Sequence, residues 1–105
     1  MHHNELPHFL ADKADDMKAK NIVTIDVQDK SNITDYMIIC TGTSKRHVVS
    51  IAEHVAAEMK KLGIEPLGLD GEAEGEWVVL DLGSNMLHIM QEDHRTLYQL
   101  EKLWG

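Results

Sequence analysis

The sequence predicts a single α/β domain, a mixed five-stranded sheet with three helices in the order α-β-β-α-β-β-β-α. Three observations carry this. First, the chain has 105 residues, enough for one hydrophobic core and too few for two, so 1–105 is read as one domain. Second, Val48, Ile51, Ala52, Val55, Met59 and Leu62 recur at helical spacing in mid-chain. Third, short β-branched or alternating apolar runs flank that stripe, separated by turn-forming residues.

The first helix is expected over 5–19, where Leu6, Leu10, Ala14 and Met17 share a face. Pro7 is tolerated because it falls in the first turn. The run 22–27 is β-branched and short, a strand. The polar stretch 28–34 is a loop. Residues 36–41 are nearly all apolar, which marks a central strand buried on both faces. Gly42, Thr43 and Ser44 turn the chain, and Ser44 suits the N-cap of a helix over 45–62. Lys60 and Lys61 favour that helix's C-terminus, and Gly63 is placed to end it. Strands over 66–70, 76–82 and 86–91 are joined by hairpin-sized loops and should form an antiparallel meander. The helix between the second and third strands is long enough for a right-handed crossover. A last helix over 93–103 is expected to carry Leu97, Leu100 and Trp104 inward.

Strand alternation sorts the side chains of the meander into two faces. Val78, Leu80, Leu82, Leu87 and Ile89 form a core face. Trp77, Val79, Asp81, Met86, His88 and Met90 form the other, apolar but with polar groups among it. If the helices cover mainly the first face, the second is a candidate contact surface. The pattern fits equally well with a terminal helix covering it and Trp77 as ordinary core.

Composition narrows the function classes. Ten basic residues stand against 18 acidic, a net charge of −8, which argues against a surface that grips phosphates broadly. It suits a basic partner, and it also suits plain solubility. Cys40 is the single cysteine, so no internal disulfide forms, and its apolar neighbours make it a small buried hydrophobe and a poor nucleophile. The first ten residues lack the pattern of a signal peptide. No apolar run approaches the roughly 20 residues that cross a bilayer. The expected location is therefore cytoplasmic.

Several segments together resemble one family: Asp35 with the strand after it, Thr41 to His47, Gly71-Glu72 to Trp77, Val78 to Gly83, His88, and Arg95 to Trp104. Their order and spacing are similar to those of the RsfS/Iojap family, which has bacterial, mitochondrial and chloroplast members. The resemblance covers about residues 5–104. It implies a nucleotidyltransferase-like topology and a non-enzymatic role. It implies binding to the large ribosomal subunit through a basic ribosomal protein, the one numbered fourteen, at the face where the small subunit docks. Joining would be blocked sterically, lowering translation when nutrients are scarce. The binding role carries over to Trp77, Val79, Asp81, His88, Met90 and Tyr98. The first five coincide with the second sheet face; Tyr98 rests on the family match alone. The resemblance leaves open direct contact with nearby ribosomal RNA and a homodimer of the free protein. It implies no cofactor. A role in assembling the large subunit and a relict nucleotidyltransferase stand as the alternatives.

Other readings are weaker. Ser44, Arg46 and His47 at a helix N-terminus could contact an anion or RNA phosphate, but the stretch lacks the full glycine-rich phosphate loop, and a turn with a cap explains it better. Nucleotidyl transfer needs carboxylates converging on Mg²⁺. Asp81 is followed by Leu82 and Gly83, so the second acid of a pair is missing, and Asp70 and Glu72 on the neighbouring strand are the substitutes the sequence offers. His47 and His54 lie two helical turns apart, too far to share a metal without a third element, so no metal site is expected. Glu101 with Arg95 or Lys102 reads as a solvated charge set of little weight.

Overall fold

The computed structural model describes residues 5–104, with the side chain of Trp104 outside the description. The elements are α1 (Leu6–Asp16), β1 (Lys20–Asp26), β2 (Tyr36–Gly42), α2 (Lys45–Lys61), β3 (Gly68–Asp70), β4 (Trp77–Asp81), β5 (Asn85–Gln91), α3 (Glu92–Tyr98) and α4 (Leu100–Trp104). They form one mixed sheet of order β1-β2-β5-β4-β3. β2 and β5 lie parallel at its centre, and every other pairing is antiparallel. The expected meander is β3-β4-β5. α2 carries the chain across the sheet to the edge strand β3, from which the meander returns to β2.

α1 and α2 cover one face. Leu6, Leu10 and Ala14 of α1, with Val48, Ile51, Val55 and Met59 of α2, pack on Ile38, Cys40, Val78, Leu80, Leu87 and Ile89. β2 is buried on both sides, since Ile39 belongs to a second cluster with Met90 and Leu100. Ser44 caps α2, its Oγ accepting from the His47 N–H at 3.1 Å. At the other end Gly63 adopts φ +77°, its N–H bonds to the Lys60 carbonyl, and Ile64 bonds back to Met59. This is a Schellman closure, with Ile64 packed on the core as the motif requires.

The structure differs from the sequence reading first at the ends of elements: α1 stops at Asp16 rather than 19 and β1 starts at Lys20 rather than 22. Three further differences bear on packing. Leu62 sits at the α2 C-cap and is exposed rather than joining the stripe. β3 begins at Gly68, because Pro66 has no N–H to give the ladder and only the Leu67 N–H reaches Asp81. The terminal helix breaks at Gln99, which takes the left-handed conformation at φ 48°, ψ 51°. The break interrupts the helical hydrogen-bond ladder and resets the phase. Leu97 therefore faces solvent at 73% exposure while Leu100 turns inward. The expected inward side chain of Trp104 lies outside the described residues.

Candidate functional site

The β4–β5 register builds the second face in cross-strand rows. Trp77 lies opposite Met90, Val79 opposite His88, and Asp81 opposite Met86. β3 adds Asp70 beside Val79 and Gly68 beside Asp81. Two local devices hold this register. Gly71 has φ +94°, and a Cβ there would fall 2.1 Å from the Trp77 carbonyl oxygen, so only glycine permits the approach that starts β4 at Trp77. At the far end the Asp81 carboxylate accepts from the Gly83 N–H at 2.9 Å and closes the β4–β5 turn.

An aromatic cluster lies over the rows. The Tyr98 ring sits 4.8 Å from the Trp77 ring, tilted 44°, within the range of a favourable aromatic pair. Tyr98 remains 47% exposed. Trp77 Nε1–H donates to His88 Nδ1 at 3.0 Å. A nitrogen that accepts carries no proton, so the neutral His88 ring holds its proton on Nε2. Burial pushes the His88 pKa down to about 4, which keeps the ring uncharged near neutrality. Its Nε2 is buried and has no hydrogen-bond partner among the described residues.

Exposure divides the sequence-assigned residues. Trp77, Val79, Asp81 and Met86 are half-buried, and with Tyr98 they present a surface. His88 is 5% exposed and Met90 is fully buried, packed with Leu100 and Ile39. The expectation that His88 and Met90 touch a partner directly is therefore corrected. Both lie beneath the surface, His88 as the hydrogen-bonded support of Trp77 and Met90 as the seat of α4. The terminal segment partly covers the second face, so each of the two sequence readings holds for part of it.

The charge pair expected between Arg95 and Glu101 is present, but Arg95 is buried. It is 7% exposed, not solvated. Its Nε donates to Glu101 at 3.2 Å and its Nη1 to the Thr41 hydroxyl at 2.8 Å. One signal was available: Arg95 lies three residues before Tyr98 and so shares its side of the helix. His94, four before Tyr98, pairs with Glu76 next to Trp77.

The α2 N-terminus is occupied by its own side chains. His47 Nδ1 accepts from the Thr43 N–H at 2.8 Å, and its Nε2 bonds the Met17 carbonyl at 2.7 Å. Both ring nitrogens are thus committed to joining α1 to the β2–α2 turn. Ser44 Oγ is the cap. Of the three residues expected at an anion contact, His47 is thus committed elsewhere and the Ser44 oxygen already accepts the cap bond, while Arg46 is exposed. The neighbouring cleft of about 370 Å³ is lined by Glu92 and Asp93 as well as Lys20, a poor setting for an anion. Among the described residues no three His, Cys, Asp or Glu side chains are grouped to hold a metal. Cys40 is buried, and burial raises its thiol pKa to about 12. No described helix is long and apolar enough to cross a membrane.

A sheet covered fully on one face and only in part on the other, where half-buried aromatic, aliphatic and acidic groups stand over a polar support, defines a small α/β protein that offers a surface. The chain belongs to the RsfS family, described as ribosomal silencing factor during starvation, whose match spans residues 1–105. It is 50% identical over 100 residues to ribosomal silencing factor RsfS of Haemophilus influenzae, covering 95% of this chain and 98% of that one. A crystal structure of a Chromobacterium violaceum protein superposes with a TM-score of 0.97 at 32% identity, covering all of this chain (100%) and 88% of that one. A mouse protein named mitochondrial assembly of ribosomal large subunit protein 1 is 33% identical over 89 residues, 82% of this chain and 39% of its own length.

Proposed function

We propose that this protein represses translation by docking on the large ribosomal subunit and keeping the small subunit from joining. The observation that carries the reading is the half-open face of Trp77, Val79 and Tyr98 bordered by the carboxylates of Asp70 and Asp81. An apolar, aromatic centre with an acidic border fits a basic protein partner, and the net charge of −8 favours the same sign of partner. The partner is the basic large-subunit protein numbered fourteen, and the action is steric. Family membership and the names of the relatives support the ribosome as the target.

The test is sedimentation of purified subunits with and without the protein. The whole-ribosome peak should fall, the protein should travel with the large subunit, and Trp77→Ala should abolish both effects while remaining folded. An unchanged whole-ribosome peak with no co-migration overturns the reading. Binding should depend only weakly on salt, since a steep dependence would mean extensive contact with ribosomal RNA phosphates. In the free protein the same face joins two copies, so Trp77→Ala should lower the mass seen by light scattering.

A second reading is favoured by the mouse relative's name: the protein assists assembly of the large subunit. Deletion would then leave immature large-subunit particles even in rich growth.

A further inference from the structure

We propose that Arg95 is a positioning residue for the docking face, fixing the terminal segment so that Tyr98 stands over Trp77. The inference rests on the docking role given above and adds a residue that the sheet face itself does not contain.

α3 has seven residues and α4 has five, lengths at which a helix does not hold itself in water. Gln99 between them is left-handed without being glycine, a conformation that costs energy and that contacts made by the flanking helices must hold in place. The apolar anchoring is thin. Leu100 is the one buried hydrophobic side chain among the described residues of the two helices, while Leu97 and Leu103 are exposed. Arg95 supplies what is missing. Its guanidinium reaches the Thr41 hydroxyl at the end of β2 and the Glu101 carboxylate on α4, so one planar group ties α3, α4 and the central strand. The Thr41 bond is buried, where a hydrogen bond to a charged donor is strong and its loss leaves one guanidinium arm short of a partner, with Glu101 alone holding the charge. Tyr98 lies three residues along the same helix side, 4.8 Å from the Trp77 ring. Moving Arg95 therefore moves the ring that completes the exposed part of the face.

The experiment is a double-mutant cycle on full-length protein, reading affinity for purified large subunits and the NMR shift of the Trp77 indole proton. Arg95→Met and Tyr98→Ala should each weaken binding about tenfold or more, and the double variant should bind no worse than the weaker single. The indole shift should move in both, since the Tyr98 ring no longer stands beside it. Arg95→Lys, which keeps the charge but not the fork, should restore binding only in part. Glu101→Gln and Thr41→Val each remove part of the anchoring and serve if Arg95→Met does not fold; each should shift the indole signal. The proposal is overturned if Arg95→Met binds like the parent, if the two losses multiply, or if the indole signal stays in place. Failure of Trp77→Ala to weaken subunit binding would instead refute the docking role, and the indole shift would then decide the role of Arg95 alone.

Discussion

The indole N–H of Trp77 and the Nδ1 of His88 are joined at 3.0 Å, and this bond makes the largest half-buried ring of the second face depend on a buried histidine. The bond needs neutral His88. An unfolded histidine titrates near 6.5, whereas His88 titrates at about 4. The unfolded chain therefore takes up its proton first as pH falls. The contribution is complete above about pH 6.5 and declines as pH drops toward 4, a swing on the order of 3 kcal/mol. Urea midpoints measured across that window should fall with pH, and His88→Phe should flatten the dependence. A parent protein with a flat profile would contradict the account.

Gly71→Ala should destabilise the fold by roughly 1–3 kcal/mol, because it combines positive φ with a collision against backbone. The Cβ would meet the Trp77 carbonyl oxygen, which cannot swing away as a side-chain tip could. Denaturant unfolding measures this. A neutral result would mean that β4 starts elsewhere.

Asp81→Asn keeps an oxygen that accepts from Gly83, so stability should change by less than about 0.5 kcal/mol. The lost charge should slow association with the large subunit, most visibly at low salt. Stopped-flow association at two salt concentrations separates this from a folding defect, and an unchanged rate would remove Asp81 from the contact.

Ser44→Ala should cost about 1 kcal/mol of stability, the usual worth of an N-cap. Subunit affinity should not follow it, nor should it follow Arg46→Ala. A loss of affinity in either variant at unchanged fold would reinstate an anion contact at the start of α2.

Leu100→Ala should cost about 2–3 kcal/mol, whereas Leu97→Ala should be nearly neutral. A continuous terminal helix would make both costly, so the pair tests the break at Gln99 directly in one thermal-unfolding comparison.

The features legible in the sequence were those set by a fixed period. Alternation in β4 and β5 placed Trp77, Val79 and Asp81 with Met86, His88 and Met90 on one face, and the register pairs them so. The continuous run after Tyr36 gave a strand buried on both sides, and Ser44 and Gly63 marked the ends of α2 to within a residue or two. Depth was not legible. Met90 and Val79 look alike in the alternation, yet Met90 is buried in a cluster with Ile39 and Leu100 while Val79 stays half-open. Gln99 has no composition that signals a left-handed turn. The pairing of Arg95 with Glu101 was legible, but its burial was not, because Thr41 joins it from a strand far away in sequence.

The parallel ladder from Tyr36–Asn85 to Gly42–Gln91 joins segments about half the chain apart. Such a pairing must close a long loop before it gains any contact, which slows folding relative to a chain of hairpins. β5 is the last strand and belongs to the sheet's centre, flanked by β2 and β4. A nascent chain lacking it has two separate fragments of sheet and neither face complete. The second face is thus assembled late, only once β5 has threaded between the two fragments and joined them.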